Sequence, residues 1–218
     1  LKYARWDGSN WLIEEISSNS SGSVSLALDS NDQPHVSYHQ LDVVGRDYDV
    51  RYAYWNGAAW VVKVVDSKPS GPSSLKLDSN DLPHISYTVY PRGHLTYARW
   101  NGSAWIIETI NPGARASLAL DDDDQAHIAY YTRDGTLKYW KRSHGLSETI
   151  DSHGNWYLSL ALDSNNQPHI GYYSYHDLKY SFAPVPTAVT VCASGCDHTT
   201  IQDAINAAAP DDTIEVQA

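Results

Sequence analysis

The sequence lacks several features that define other classes of protein. It has no Met, a single Phe and two Cys in 218 residues, and no apolar run reaches the roughly 20 residues that a membrane-spanning helix needs. Positive charge is also scarce, because 15 Lys and Arg face 26 Asp and Glu, for a formal net charge of −11. Nucleic acids and anionic membranes attract basic surfaces, so we expect neither a nucleic-acid partner nor membrane insertion. The missing initiator Met and the strand-like start at Leu1 predict a processed or excised piece of a longer protein.

An internal repeat is the main feature that is present. One element recurs as LALDSNDQPHVSY from Leu26, LKLDSNDLPHISY from Leu75, LALDDDDQAHIAY from Leu118 and LALDSNNQPHIGY from Leu160. A second element alternates with it as LKYARWDGSNWLIEEI from Leu1, VRYAYWNGAAWVVKVV from Val50, LTYARWNGSAWIIETI from Leu95, a shorter LKYWKRSHGLSETI from Leu137 and a stub LKYSF from Leu178. The first element repeats in steps of 49, 43 and 42 residues, which is the length of one four-stranded propeller blade.

Each element predicts a hairpin, and we name the four strands of one repeat A to D. Strands A and B flank a polar turn such as residues 29–32, and strands C and D flank an Asp-Gly or Asn-Gly turn. Strand D is apolar on both faces, as in Trp105 to Ile110, which is typical of a sheet covered on both sides. We therefore predict an all-β fold, a β-propeller of four-stranded antiparallel blades with about four blades in this chain. A β-sandwich is the alternative.

The number of blades is open at this stage. Residues 1–16 supply strands C and D only, whereas residues 158–182 supply strands A, B and C. If the ring closes on itself, the first C–D pair completes the blade begun by the last A–B pair. That closure gives four blades, and the strand at Leu178 then belongs to none of them. Otherwise the propeller begins upstream of Leu1 and has five to seven blades.

The repeat stops at Phe182, and residues 183–187 predict a linker because Pro blocks strand pairing. Residues 188–218 then predict a strand, a short amphipathic helix with Thr200 at its N-cap, and a second strand. This order resembles the N-terminal cap of a right-handed parallel β-helix of the pectate-lyase-like class. The resemblance implies that a β-helix domain follows in the parent chain.

The two cysteines, Cys192 and Cys196, lie in this C-terminal segment. We predict that they form a disulfide, which implies an oxidising compartment. Half of a metal site is the alternative, although the chain has no second pair of cysteines.

The W-[DN]-G-x-x-W hairpins that start at Trp6, Trp55 and Trp100, together with the D-x-x-x-x-x-H turns, resemble the bacterial extracellular β-propellers with sialidase-like or lectin-like blades. The resemblance implies a secreted or cell-surface protein. The sialidase Asp-box, S-x-D-x-G-x-T-W, is absent, which argues against sialidase activity.

Strands C and D also carry residues suited to sugar recognition. An Arg–Glu pair binds hydroxyl groups through charge-assisted hydrogen bonds, and an indole stacks on the apolar face of a pyranose. Propeller lectins similar to the fucose-binding ones use such a trio between blades. We therefore predict two ligand-binding trios, Arg5, Trp6 and Glu14, and Arg99, Trp100 and Glu108.

A structural Arg–Glu bridge between neighbouring strands is the alternative to a ligand-binding role. The trio is broken in the second repeat, where Tyr54 and Lys63 replace the Arg and Glu. It is altered in the fourth, where Lys141 precedes Arg142.

The A–B turns and the first residues of strand B offer metal ligands. Oxygen ligands at alternating positions suit calcium, and Asp121 with Asp123 is the best candidate, but self-bonded turn residues are the simpler interpretation. One His recurs at the start of every strand B: His35, His84, His127 and His169. We expect each to bond the backbone or an Asp of the adjacent turn, the alternative being a ring of metal ligands.

No catalytic motif occurs in the sequence: it has no G-x-S-x-G, H-E-x-x-H or phosphate-binding loop. Neighbouring Glu14 and Glu15 point to opposite faces of a strand and cannot flank one bond. The first hypothesis is thus a non-catalytic extracellular module that recognises carbohydrate, with a glycan or a cell-surface protein as its partner. The second is a structural or adhesin-type spacer. The third is an accessory fragment of a polysaccharide-degrading hydrolase or lyase.

Overall fold

The computed structural model describes residues 1–18, 20–41, 48–152, 157–174, 177–182, 188–191 and 213–216. The chain divides into two units, Leu1–Ser181 and Phe182–Ala218. The described residues form strands, turns and loops with no helix among them, which confirms the predicted all-β class. None of these residues lies in a helix long and apolar enough to span a bilayer.

The first unit contains five antiparallel sheets in chain order. Sheet 1 consists of β1 (Lys2–Trp6) and β2 (Trp11–Glu15). Sheet 2 consists of β3 (Ser20–Leu28), β4 (Pro34–Leu41), β5 (Tyr48–Trp55) and β6 (Trp60–Asp66). Sheet 3 consists of β7 (Ser70–Leu77), β8 (Pro83–Val89), β9 (His94–Trp100) and β10 (Trp105–Pro112). Sheet 4 consists of β11 (Ala114–Leu120), β12 (Ala126–Tyr131), β13 (Leu137–Lys141) and β14 (Ser147–Asp151), and sheet 5 of β15 (Leu158–Leu162), β16 (Pro168–Ser174) and β17 (Asp177–Phe182).

Sheets 2, 3 and 4 have the order A–B–C–D, which confirms the predicted four-stranded antiparallel blades. Sheet 1 holds strands C and D, and sheet 5 holds strands A, B and C, as the repeat pattern predicts. His35 at the start of strand B pairs with Tyr54 at the end of strand C. The A–B turns and the C–D turns therefore lie at the same end of each sheet, which we call the turn end. The B–C connections lie at the opposite end, which we call the loop end.

Sheets 2 to 5 contact one another in chain order through their A strands. In each case a serine hydroxyl of one A strand accepts a hydrogen bond from a leucine N–H of the next. The three bonds are Leu75 N to Ser25 Oγ at 3.0 Å, Leu118 N to Ser74 Oγ at 3.2 Å and Leu160 N to Ser117 Oγ at 3.0 Å. The small serine side chain lets two backbones come close, as expected of the crowded inner strands of a propeller. This serial stacking differs from the two facing layers of the alternative β-sandwich.

The apolar core lies between the sheets rather than beneath a single one. Between sheets 2 and 3 it contains Val50, Tyr52, Leu75, Ile85 and Tyr87. Between sheets 3 and 4 it contains Leu95, Tyr97, Leu118, Ile128 and Tyr130, and between sheets 4 and 5 Leu137, Tyr139, Leu160, Ile170 and Tyr172. The same repeat positions recur at each interface, and burial of a large apolar side chain stabilises the fold by about 1.5–3 kcal/mol.

A group of three side chains, the Asp–His–Tyr unit, occurs once in each of sheets 2 to 5, with the His ring between the Asp carboxylate and the Tyr hydroxyl. The units are Asp29, His35 and Tyr52; Asp78, His84 and Tyr97; Asp121, His127 and Tyr139; and Asp163, His169 and Tyr180. In sheet 3 the His84 Nδ1 lies 2.6 Å from the Tyr97 hydroxyl, and its Nε2 lies 3.5 Å from Asp78 Oδ2. In sheet 4 the His127 Nε2 lies 3.0 Å from Asp121 Oδ2, which confirms the prediction that this His bonds an Asp of the adjacent turn. In the other three units the Nε2 to Oδ2 distance is 3.5 Å.

Burial lowers the pKa of His84 although the Asp78 carboxylate opposes it, and burial lowers the pKa of His35 and His127 in the same way. These imidazoles are therefore neutral at pH 7. The tautomer that satisfies both partners carries its proton on Nε2, which donates to the carboxylate, while Nδ1 accepts from the tyrosine hydroxyl.

The A–B turns also connect each sheet to the next one. Within one turn, Asp78 Oδ1 accepts hydrogen bonds from the N–H groups of Asn80 and Leu82 at 2.9 and 2.8 Å. Ser79 donates from its N–H to Asp124 Oδ1 at 2.8 Å and from its hydroxyl to Asp124 Oδ2 at 2.5 Å. Ser30 makes the same two bonds to Asp81. These bonds hold neighbouring blades in register at the turn end.

The described sheets do not form a closed ring. Sheet 1 packs on sheet 2, where Leu1 and Ile16 contact the cluster of Val36, Tyr38 and Ala53. Strand β17 occupies the third position of sheet 5, and the β1–β2 pair forms a separate sheet. The closure in which this pair completes the last blade is therefore not observed. A native count of five to seven blades stays a prediction.

In the second unit, β18 (Ala188–Val191) and β19 (Thr213–Val216) pair in parallel. The sequence predicts both strands. The predicted helix at Thr200, the linker 183–187 and the Cys192–Cys196 disulfide lie outside the described residues. The parallel β-helix stays a prediction.

The importance of the turn aspartate can be tested inside one turn. Asp121→Ala should lower the free energy of unfolding by about 2–4 kcal/mol, because two main-chain N–H groups and the buried His127 lose their acceptor. Asp123→Ala is the matched control. Its side chain is exposed, so we expect a change within about 0.5 kcal/mol. Urea unfolding measures both, and equal losses would contradict the assigned role.

A second prediction concerns His39, which is buried with no hydrogen-bond partner for Nε2 among the described residues. Burial lowers its pKa to about 4 from the usual 6.5. As the pH falls, the unfolded chain therefore binds a proton at this imidazole before the folded chain does. The contribution of neutral His39 to the free energy of unfolding is fully present above pH 6.5 and is lost as the pH falls towards 4. His39→Thr introduces the residue that sheet 3 has at this position, Thr88. It should reduce the slope of stability against pH between 6.5 and 4 in urea titrations, and an unchanged slope would contradict the assignment.

Candidate functional site

A groove of about 380 Å³ opens at the turn end between sheets 1 and 2. Sheet 1 contributes Tyr3, Arg5 and Glu14, and sheet 2 contributes Trp55 and Trp60, together with the turn residues 32–34 and Gly57. This volume lies within the range of roughly 300–1,000 Å³ that small-molecule sites occupy.

The strand register places the charged pair of the groove on one face of sheet 1. Tyr3 pairs with Glu14, and Arg5 pairs with Leu12. Since side chains alternate along a strand, Tyr3, Arg5 and Glu14 all face sheet 2. The Trp60 indole Nε1 donates a hydrogen bond of 3.0 Å to Glu14 Oε2. Trp60 also contacts the Tyr3 ring edge-on, with 5.4 Å between ring centroids.

The predicted Trp6 does not join Arg5 and Glu14. It is adjacent to Arg5 and therefore points to the opposite face of sheet 1, where it contacts Trp11 at 5.7 Å and is 54% exposed. The indoles that meet the Arg–Glu pair come from the next sheet, as Trp60 and Trp55. Sequence reasoning missed these two residues and Tyr3, although the alternation of side chains along strand C already separates Arg5 from Trp6.

The second predicted trio lies in sheet 3, and a neighbouring residue closes its groove. Arg142 of sheet 4 donates from Nη2 and Nε to Glu108 Oε1 at 3.0 and 3.3 Å. Arg142 occupies the repeat position that Trp55 has in sheet 2. Arg99 lies opposite His84 in the register and faces the same side as Glu108. At this interface Glu108 thus forms a bridge, but to the next blade rather than to Arg99.

Trp100, the third member of that trio, faces the preceding sheet. The Lys63 ammonium group lies 4.1 Å from the centroid of its ring and 5.7 Å from that of Tyr54. Trp105 contacts Tyr52 at 5.7 Å. Tyr54 and Lys63, which replace Arg and Glu in this repeat, therefore fill the gap between sheets 2 and 3 with a cation–π contact.

Asp121, one of the two calcium candidates, already has protein partners for both carboxylate oxygens. Oδ1 accepts from Asp123 N at 3.1 Å and Gln125 N at 2.7 Å, and Oδ2 lies 3.0 Å from His127 Nε2 and 3.5 Å from Lys141 Nζ. These hydrogen bonds lower the pKa of Asp121 even though burial opposes them. The arrangement matches the simpler interpretation of a self-bonded turn.

Among the described residues, no group of three or more His, Cys, Asp or Glu is placed to hold a metal ion. The recurring histidines each have partners on both ring nitrogens within their own sheets, as described for the Asp–His–Tyr units. Their repetition therefore reflects the building of each blade.

No family model matches the chain, and no curated protein matches it either. Among solved structures, the fold is similar to that of a variant of Aleuria aurantia lectin in complex with alpha-methyl-L-fucoside. The TM-score is 0.60 at 13% identity, over 84% of this chain and 68% of that chain. An endo-arabinase from Bacteroides thetaiotaomicron gives a TM-score of 0.50 at 10% identity, over 80% of this chain and 81% of that one.

A protein of unknown function from Dyadobacter fermentans gives a TM-score of 0.55 at 11% identity, over 71% of this chain. The present chain spans 50% of the length of that protein. At such identities the similarities show the fold alone. The first unit thus has a propeller-like fold, which a lectin and an enzyme share, so the fold by itself does not identify a function.

Proposed function

We propose that the first unit is a non-catalytic, extracellular carbohydrate-binding module whose sugar site is the groove between sheets 1 and 2. One observation carries the proposal. The groove brings an arginine, a glutamate and two indoles together at an open inter-sheet gap, whereas the equivalent gaps between later sheets are filled by Lys63 or by Arg142.

Residues of both sheet 1 and sheet 2 take part in sugar recognition. Arg5 donates and Glu14 accepts charge-assisted hydrogen bonds with sugar hydroxyls, which are stronger than bonds between neutral groups. Trp55 and Trp60 offer apolar surface to the C–H face of a pyranose. Their rings contact each other edge-on at 5.9 Å, and Trp60 also positions the Glu14 carboxylate through its N–H. The groove is therefore organised before any ligand binds.

The proposal of a binding rather than a catalytic role rests on the carboxylates. Glycoside hydrolysis requires two carboxylates on either side of the scissile bond. Glu15 faces away from Glu14 along the same strand. Asp32 also lines the groove, but its equivalents Asp81 and Asp124 accept hydrogen bonds from the turn of the preceding sheet. In sheets 3 and 4 that repeat position therefore connects blades. Sheet 1 has no A–B turn to make the same bonds to Asp32, so Asp32 and Glu14, whose Oε2 accepts the Trp60 N–H, are the pair that the aryl-glycoside assay below tests.

The extracellular location follows from the resemblance of the repeats to secreted propellers and from the predicted disulfide. The downstream β-helix, and any enzymatic activity of the parent protein, belong to the same proposal. A glycan or a glycosylated cell-surface protein is the partner that the groove chemistry fits.

Binding can be tested by titrating the chain with alpha-methyl-L-fucoside and by probing a glycan array. For a glycan that binds on the array, Arg5→Ala and Glu14→Gln should each lower the affinity by roughly 10- to 100-fold. Each variant removes charge-assisted hydrogen bonds worth about 1.5–3 kcal/mol. Isothermal titration calorimetry measures the change.

Sheet 3 supplies matched controls for this experiment. Arg99→Ala and Glu108→Gln change the same repeat positions at the gap that Arg142 closes, so they should leave glycan affinity unchanged. If the sheet 3 variants lost as much glycan affinity as the sheet 1 variants, the assignment of the sugar site to this groove would be wrong. No glycan binding at all would favour the structural spacer. Release of 4-nitrophenol from aryl glycosides that disappears in Glu14→Gln would overturn the non-catalytic role.

A further inference from the structure

A second groove, of about 550 Å³, lies at the loop end between sheets 3 and 4. Pro112 at the end of β10 forms one wall, with Tyr130 of β12 behind it. The hairpin that joins β12 to β13 contributes Thr132, Arg133 and Asp134, and β13 contributes Lys138. This groove shares no residue with the one between sheets 1 and 2.

The hairpin that forms the polar wall has a defined conformation. Thr132 N donates to Thr136 O at 2.9 Å, and Gly135 N donates to Thr132 O at 3.1 Å. Gly135 has φ of 85°, a left-handed conformation that favours glycine. The backbone that carries Arg133 and leads into Lys138 is therefore fixed by the turn itself.

The apolar side of the groove is also held in place. The Tyr130 hydroxyl bonds Ser147 Oγ at 2.8 Å, and the ring lies directly against Gly113. A Cβ built on Gly113 would lie 2.5 Å from a Tyr130 ring carbon, so this position has room for glycine only. Pro112, which directly precedes Gly113 in the chain, is exposed.

The charges of the groove are unusual in a chain with a net charge of −11. Within the described part of the chain, neither Arg133 nor Lys138 lies within ion-pairing distance of a carboxylate. Arg142 and Lys179, by contrast, are paired with Glu108 and Asp151. Asp134 accepts a hydrogen bond from the Thr132 hydroxyl, which lowers its pKa. The groove therefore presents two cations and one carboxylate that already has a donor.

We propose that this groove binds a sugar residue that bears a carboxylate, of the hexuronic acid class. A guanidinium group matches the planar carboxylate in a bidentate manner, and the Lys138 ammonium group adds a second donor. The Pro112 ring provides apolar surface for the C–H groups of the pyranose. A neutral sugar leaves both cations without an anionic partner, so the groove distinguishes acidic sugars from neutral ones.

The test titrates the full chain with methyl β-D-glucuronide, and with methyl β-D-glucoside as the neutral counterpart, by nuclear magnetic resonance. The glucuronide should shift the amide signals of Thr132 to Lys138, and the glucoside should not. Arg133→Gln and Lys138→Gln should each weaken glucuronide binding at least tenfold. Binding should also weaken as sodium chloride rises, because salt screens exposed charges. Alpha-methyl-L-fucoside binding at the other groove should not change in these variants, which separates failure of this proposal from failure of the proposed function.

Arg92→Gln is the control for the loss of one positive charge. Arg92 lies in the B–C connection of sheet 3, is exposed and does not line the groove, so glucuronide binding should persist in this variant. Equal affinity for the glucoside, or unchanged glucuronide binding in both groove variants, would overturn the proposal. Inorganic sulfate that reproduces the same shifts at the same affinity would identify a general anion site and would overturn the assignment to a sugar.

Discussion

The Asp–His–Tyr unit is the interaction on which each complete blade depends. It joins three points that are distant along the chain, since the Asp lies in the A–B turn, the His on strand B and the Tyr on strand C. The same Asp carboxylate also accepts the N–H groups of its own turn, so one side chain shapes the turn and orients the imidazole. A neutral, buried imidazole with a partner on each ring nitrogen leaves no unsatisfied polar group, which is the condition for placing it in the core.

The unit also explains how one blade is positioned against the next. Because it holds the turn in place, the following turn residues can bond across to the neighbouring sheet, as Ser79 does to Asp124. Near the centre, the serine of each A strand makes the corresponding contact with the next A strand. Hydrogen bonds at the turn end and along the A strands therefore fix the spacing of the sheets, and the large tyrosines and leucines fill the space between them.

These bonds link sheets 2 to 5, whereas sheet 1, which has no A strand or A–B turn, packs on sheet 2 through Leu1 and Ile16. The outer part of each gap varies. Between sheets 1 and 2 the gap is open and combines Arg5, Glu14 and Trp60. Between sheets 2 and 3 Lys63 covers Trp100, and between sheets 3 and 4 Arg142 engages Glu108. Strands C and D have the same register in sheets 1, 2 and 3, where Tyr3 pairs with Glu14, Tyr52 with Lys63 and Tyr97 with Glu108. The side chains at the gap therefore decide whether it is a groove or a closed contact. At the loop end, where no Asp–His–Tyr unit constrains the connections, a groove of different charge has formed between sheets 3 and 4.

The sequence alone determined the blades, because strand alternation, the Asn-Gly and Asp-Gly hairpins and the repeated turn aspartates are local properties of short segments. It also predicted that the recurring His serves the blade, and that Tyr54 and Lys63 break the trio in the second repeat. It did not determine which residues meet across a gap. Arg5, Trp6 and Glu14 belong to one repeat, but adjacent residues of a strand point to opposite faces, so the indole facing Glu14 belongs to the next sheet. Only the stacking of sheets, a contact between segments about 46 residues apart, decided that Trp60 completes the open groove and that Arg142 closes the later one.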